Sequence, residues 1–163
     1  MMIRAFDCNR PGGAPAMRRF LVFALIGLVG LLPGTRAVAD MRTVGDYTVH
    51  YNALSSLDLS PEVARSYAIS RSENRGLLNI AIRHKTGDGD QPAAARLSGE
   101  AINEVGQRQT LYFREVRETG AIYYLAEPSV RPGDNWRFEI EVAIDSGPTV
   151  PLRFSQEFFA PLP

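Results

Sequence analysis

Apolar and polar side chains alternate with a period of two residues in the last third of the chain. The apolar set in this stretch is Trp136, Phe138, Ile140, Val142 and Ile144, and these residues alternate with Arg137, Glu139, Glu141, Ala143 and Asp145. Such alternation predicts a β-strand with one face on a core and the other in water. Residues 46–53 repeat the pattern, with Tyr47, Val49 and Tyr51 on the apolar side.

Further strands are predicted from short apolar runs bounded by turn residues. They fall near residues 77–84, 96–105, 110–118, 121–127 and 152–159. Gly, Asp, Ser and Pro separate them, as in Thr86–Asp90, Thr119-Gly120, Pro128–Asp134 and Ser146-Gly147-Pro148. A total of about seven short strands favours an antiparallel, all-β sandwich over a barrel or an α/β fold.

One segment breaks the alternation. Ser60-Pro61-Glu62 combines an N-cap residue, a proline at the first helical position and an acidic first turn, which predicts a short helix over about residues 61–67. A helix of this length is not stable alone, so we expect Val63, Ala64 or Tyr67 to rest on the sandwich.

The first 39 residues predict an export signal. An uncharged apolar run, Phe20–Leu32, follows Arg18 and Arg19, and Ala37-Val38-Ala39 supplies small residues for cleavage. The run is shorter than the roughly 20 residues needed to span a bilayer. We therefore expect a cleaved signal peptide over residues 1–39, with Met17 as an alternative start, and one soluble periplasmic domain over 40–163 without membrane insertion. An uncleaved anchor is the alternative.

Charge and cysteine content exclude several function classes. The chain of 163 residues has 18 basic and 18 acidic residues, and loss of residues 1–39 leaves 13 and 17, a net charge of −4. A nucleic-acid binder needs a basic face, so we expect no nucleic-acid partner. The single cysteine, Cys8, lies in the predicted signal peptide, which excludes disulfides and thiolate chemistry from the exported form.

The chain contains no complete catalytic or metal-binding motif, and we expect no cofactor. His50 and His84 are its two histidines, and a transition-metal site needs three or four suitable ligands. Two alternatives remain open. One is an envelope hydrolase that uses His50 or His84 as base beside a Ser and a carboxylate in a pocket. The other is a weak copper or zinc carrier that uses Met41, His50 and His84.

The densest polar cluster is Ser70–Gly76, just after the predicted helix. Its Arg71, Asn74 and Arg75 could hold a carboxylate or phosphate through bidentate hydrogen bonds. The alternative interpretation is a solvated connection whose side chains cap the helix and the next strand.

Several stretches resemble a known family. The run YNALSSLDLSPEVARSYAISRSENRGLLNIAI (Tyr51–Ile82), the segments LYFREVRETGAIYYLAE and FEIEV, and the final LRFSQEFF are similar to a periplasmic family of Gram-negative bacteria known as domain of unknown function 4426. The resemblance implies an exported, immunoglobulin-like sandwich without assigned activity or catalytic residues. We therefore expect a periplasmic binding or accessory module whose partner is an envelope protein or an anionic ligand.

Overall fold

The computed structural model describes residues 40–159, which form ten strands, a 3-10 turn (Ser56–Asp58) and one helix. The helix is α1 (Pro61–Ser66). The strands are β1 (Asp40–Val44), β2 (Tyr47–Ser55), β3 (Gly76–Thr86), β4 (Gly89–Pro92), β5 (Ala95–Asn103), β6 (Arg108–Thr110), β7 (Arg114–Glu118), β8 (Ala121–Ala126), β9 (Asn135–Ile144) and β10 (Thr149–Glu157).

The strands form two sheets in which every pair is antiparallel. The first sheet has the order β1-β2-β3-β8-β7, with β4 also paired to β3, and the second has the order β10-β9-β5-β6. The all-β prediction with one short helix is confirmed. The description of the sandwich as immunoglobulin-like, and the single domain over 40–163, stay predictions.

The number of strands is ten and not about seven, for two physical reasons. β1 and β4 are short and mostly exposed, so they carry no apolar alternation for a pattern to detect. The strand predicted over 110–118 is two strands, because β6 ends at Thr110 in the second sheet and β7 begins at Arg114 in the first. Leu111, buried in the core, lies at this crossing.

The apolar faces of the two sheets meet in one core. Val49, Ile80 and Ile82 of the first sheet and Phe138 and Val142 of the second are each 0% exposed. The tilted rings of Tyr51 and Phe154, with centroids 4.7 Å apart, join β2 to β10 across the two sheets. The alternation predicted for β9 is confirmed, since its even-numbered residues from Trp136 to Ile144 are buried.

Helix α1 lies on the outer face of the first sheet. The Ser60 side chain caps its start by accepting a hydrogen bond from the backbone N–H of Val63, and Tyr67 follows its last residue. Ala64 packs with Ile69 of the following segment against Leu77 of β3 and Leu125 of β8. The prediction that Val63, Ala64 or Tyr67 rests on the sandwich is therefore confirmed, for Ala64 and Tyr67.

The signal peptide predicted over residues 1–39, with its alternative start at Met17, lies outside the described residues. Within residues 40–159, no helix has the length and hydropathy needed to cross a membrane.

Candidate functional site

The predicted binding residues lie on the connection from α1 to β3, where Arg71, Asn74 and Arg75 are all exposed. The connection leaves the helix through Ala68, whose φ of 51° turns the chain back over the sheet. Ile69 then inserts into the small apolar cluster beneath, and its N–H donates to the carbonyl of Ala64. The helix end thus fixes where the polar segment begins.

Ser56, in the 3-10 turn, anchors the middle of this connection. It is 0% exposed, and its hydroxyl donates to the carbonyl of Ser72 at 3.0 Å and accepts from the N–H of Ser72 at 2.9 Å. The backbone N–H of Ser56 also donates to the carbonyl of Arg75 at 2.9 Å. A buried hydroxyl whose partners are both on one residue holds that residue in a single position.

The far side of the connection is held by the chain that leaves β8. The N–H of Val130 donates to the carbonyl of Asn74 at 3.1 Å, and Arg75 forms an isolated bridge with Ser129. Gly76 then packs so closely that an added Cβ would lie 2.9 Å from the ring of Phe158. A side chain at position 76 would therefore displace the start of β3.

Both guanidinium groups of the site keep unused donors. Arg71 donates to the carbonyl of Leu57 at 2.9 Å, and Arg75 pairs with Glu127 at 3.4 Å. These are the side-chain hydrogen bonds that the structure gives the two residues within 40–159, and a guanidinium has five N–H donors. The two arginines can therefore accept an anion from solvent. The alternative interpretation, a solvated connection whose side chains cap neighbouring elements, also has support, because Arg71 donates to the carbonyl of Leu57 in the 3-10 turn.

Tyr67 ties the helix end beside this site to β7. Its hydroxyl donates to Glu118 at 2.5 Å, and its carbonyl accepts from Arg114 at 2.7 Å. Burial first, and then the hydrogen bond to the Glu118 carboxylate, raise the pKa of Tyr67 well above its usual value.

The two histidines lie on opposite faces of the first sheet. His50 is on the outer face, directly across from Met41 in the register of β1 and β2. His84 follows the inner phase of Ile80 and Ile82, where its ring stacks on Tyr47. Met41, His50 and His84 therefore do not meet, and residues 40–159 contain no group of three His, Cys, Asp or Glu placed to hold a metal.

The sequence interpretation missed a cleft of about 350 Å³ at one end of the sandwich. Its lining combines an aromatic stack, a short apolar segment and the β9–β10 turn: Tyr47, His84, Pro92, Ala93, Ala94, Ile144, Asp145 and Ser146. The Tyr47 hydroxyl donates to the carbonyl of Ser146 at 2.8 Å. Of this cleft, the sequence analysis identified only the turn Ser146-Gly147-Pro148. The other side chains of the cleft are brought together by strand register, which a local pattern does not reveal.

The geometry that the hydrolase alternative needs is not formed in the described part of the chain. His84 shares the cleft with Asp145 and Ser146, yet neither its ring nor that of His50 has a side-chain hydrogen bond within residues 40–159. A general base must reach both its nucleophile and its orienting acid. The His–Ser–carboxylate set that this alternative requires is thus not assembled within residues 40–159.

Comparison with solved structures gives a family member and more distant neighbours. A DUF4426 family protein of Pseudomonas aeruginosa PAO1 is 31% identical, with a TM-score of 0.64, and the match covers 76% of this chain and 97% of that chain. FetP of uropathogenic Escherichia coli strain F11 is 12% identical, with a TM-score of 0.50 over 73% and 93% of the two chains. A copper-bound FetP variant matches at 14% identity and a TM-score of 0.46 over 72% and 91%. At 12% identity, the first FetP match shows likeness of fold alone.

Comparison with curated proteins gives no match. Among protein families, the one described as "Domain of unknown function (DUF4426)" matches residues 41–161, a range that includes the helix, the Arg71–Arg75 connection and both sheets except Asp40 of β1. By this match and by its identity to the Pseudomonas protein, the chain belongs to the DUF4426 family.

Proposed function

We propose that this protein is an exported periplasmic binding module that recognises an anionic group on an envelope partner through Arg71, Asn74 and Arg75. The observation that carries the proposal is the anchoring of an exposed segment by a buried side chain. Ser56 is 0% exposed and binds both backbone groups of Ser72, one residue from Arg71.

Anchoring favours binding because it lowers the entropy lost when a ligand is held. A free surface loop loses backbone and side-chain freedom on binding, whereas a fixed one has lost it during folding. The connection is fixed from two sides, by Ser56 and by Val130. Its two arginines therefore need to order only their side chains around a carboxylate or phosphate.

The ion pair that Arg75 makes now is weak enough to yield to a ligand. The Arg75–Glu127 pair has a 3.4 Å separation, and the Arg75 side chain is 45% exposed. Exposed pairs of this kind contribute only about 0–1 kcal/mol. A bidentate anion, which forms two parallel charge-assisted hydrogen bonds, can displace Glu127 or share Arg75 with it.

Export rests on the predicted signal peptide over residues 1–39. The exported form has a net charge of −4, so the field of the whole protein repels an anionic partner. The attraction must therefore come from the local positive charge of the arginines.

The test uses two paired variants. Arg71→Ala/Arg75→Ala removes the site, and Arg96→Ala/Arg153→Ala removes the same charge from two exposed arginines of the second sheet. The probes are inorganic phosphate and a tetraglutamate peptide. Binding of each probe is measured by the change in the amide chemical shifts of the protein. We expect shifts centred on residues 71–76 in the native protein and the control, and none in the site variant. Equal shifts in both variants, or no shifts in the native protein, would contradict the proposal.

A further inference from the structure

Strand β7 has a charge order that is complementary to itself when reversed. Its sequence is Arg114-Glu115-Val116-Arg117-Glu118, so the residues at equal distances from the central valine carry opposite charges. The strand lies at the end of the first sheet, and among the described strands it pairs only with β8. An edge strand presents unpaired backbone groups that can bind another strand.

The hairpin geometry shows which backbone groups of β7 face outward. Glu118 and Ala121 flank a two-residue turn, Thr119-Gly120, and so form a hydrogen-bonded pair. Bonded pairs then recur at every second residue, which directs the N–H and C=O groups of Val116 toward β8. The backbone groups of Glu115 and Arg117 therefore point away from the sheet.

A second copy of the chain fits this edge. If two β7 strands pair antiparallel about a twofold axis at Val116, Glu115 lies opposite Arg117 of the partner subunit and makes both backbone hydrogen bonds with it. In the same register Arg114 lies opposite Glu118 of the partner subunit. Each subunit thus gains two pairs of opposite charge, and Val116 contacts its own copy.

We propose that this protein forms a symmetric dimer through β7, which joins the first sheets of two subunits into one continuous sheet. The twofold axis passes beside Val116. This valine is half-buried and packs against the apolar cluster of α1, so the contact extends an existing apolar surface.

The other long edges lack this complementarity. When two copies of β1 pair antiparallel about the centre of the strand, Arg42 lies opposite its own copy. Two copies of β10 paired in the same way place Arg153 opposite its own copy. β10 also contains Pro151, which has no N–H to donate. Like charges directly opposite each other disfavour pairing. Among the described edges of five or more residues, β7 is therefore the one whose charges favour a second copy.

The contacts that β7 side chains make within one subunit are compatible with the dimer. Arg117 pairs with Glu115 at 2.5 Å along the strand, and Glu115 accepts from the Tyr124 hydroxyl at 3.1 Å. Arg114 donates to the Tyr67 carbonyl, and Glu118 accepts from the Tyr67 hydroxyl. A carboxylate has about four acceptor sites and a guanidinium five donors, so all four residues can also bind across the axis.

The experiment is sedimentation equilibrium of single, mixed and double charge variants. Glu115→Arg brings two arginines face to face across the axis, because the introduced side chain lies opposite Arg117 of the partner subunit. Arg117→Glu likewise places two glutamates opposite each other. We expect each single variant to raise the dimer dissociation constant about tenfold or more. We expect a 1:1 mixture of the two, and the double variant Glu115→Arg/Arg117→Glu, to recover the native constant.

The mixture also tests folding, because two misfolded chains would not dimerise together. The matched control is Arg137→Glu/Glu139→Arg on β9, where the same two residue types pair along an interior strand at 3.1 Å. It should leave the constant unchanged. A native protein that stays monomeric at about 500 µM overturns the proposal, and so does failure of the mixture to recover the native constant. The proposal would also be overturned if the neutral variant Glu115→Gln/Arg117→Gln formed dimers while the native protein did not, since the charges would then prevent pairing.

Discussion

The rings of Tyr47 and His84 lie face to face, with centroids 4.2 Å apart and planes at 12°. The two residues are direct partners in the register of β2 and β3. Gly147, in the β9–β10 turn, lies against the same tyrosine, and a Cβ at this position would be 2.8 Å from two ring atoms. The absence of a side chain at residue 147 therefore sets the position of the stack and of the cleft beside it.

Gly147→Ala should move the tyrosine ring and lower the free energy of unfolding by about 1–3 kcal/mol, the range for overpacking. Urea unfolding measures the loss, and the chemical shifts of the His84 ring report the stack. Gly87→Ala is the control, because a Cβ at residue 87 meets nothing within 4 Å. Equal effects of the two changes would show that the Tyr47–Gly147 contact does not matter.

Ser56→Ala should destabilise the protein by about 1–3 kcal/mol, since it removes two hydrogen bonds and leaves the backbone groups of Ser72 without their partner. Amide hydrogen exchange should become faster over residues 71–75. Ser70→Ala, at an exposed position of the same connection, is the control. If exchange over 71–75 stays at the native rate, the buried serine does not anchor the site.

Tyr67 should make the protein less stable at alkaline pH. Its pKa is raised in the folded state by burial and by Glu118, so its contribution is complete below pH 10, the usual tyrosine pKa, and is lost as the pH rises above that value. Tyr67→Phe should lower stability at pH 7 by about 1 kcal/mol through the lost hydrogen bond and flatten the decline above pH 10. Urea unfolding at several pH values measures both effects.

The control for this pH dependence is Tyr112→Phe, at a residue that is 84% exposed. It should leave the native profile unchanged. An alkaline decline as steep in Tyr67→Phe as in the native protein would place its cause elsewhere, for example in Tyr123 or Tyr124, whose pKa values burial also raises.

Phe138→Ala should cost about 3–5 kcal/mol, because this ring is 0% exposed and lies at the centre of the core beside Phe154. Thermal unfolding measures the change. Val105→Ala, at a residue that is 86% exposed, should stay within about 0.5 kcal/mol. A small loss for Phe138→Ala would argue against a single core between the two sheets.

Local patterns predicted the elements that bury one face. β9 was predicted from its alternation, and α1 from Ser60, Pro61 and Glu62, because each signal lies within a few neighbouring residues. β1 and β4 gave no signal, since both faces of these short strands are mostly exposed. The crossing at Leu111 was hidden because its apolar residues continue the strand pattern while the chain changes sheets.

The candidate site was predictable only in part. The exposed arginines of the Arg71–Arg75 connection follow from its polar composition, but their anchor at Ser56 lies 16 residues from Ser72 in a different element. The opposite faces of His50 and His84 follow from strand phase, whereas the meeting of His84 with Asp145 and Ser146 depends on pairing between distant strands. Such long-range register is not encoded in any local pattern.

Two short connections, here called steps, carry the chain from one sheet to the other. Ala93 and Ala94 carry the backbone from β4 to β5, and Leu111–Phe113 carry it from β6 to β7. At roughly 3.3 Å per residue, the chain from Thr110 to Arg114 reaches about 13 Å, which is little more than the 10 Å gap between packed sheets, so this step has little slack. This step keeps β6 close to β7, so the two sheets can separate at that edge only if these strands unpair from β5 and β8.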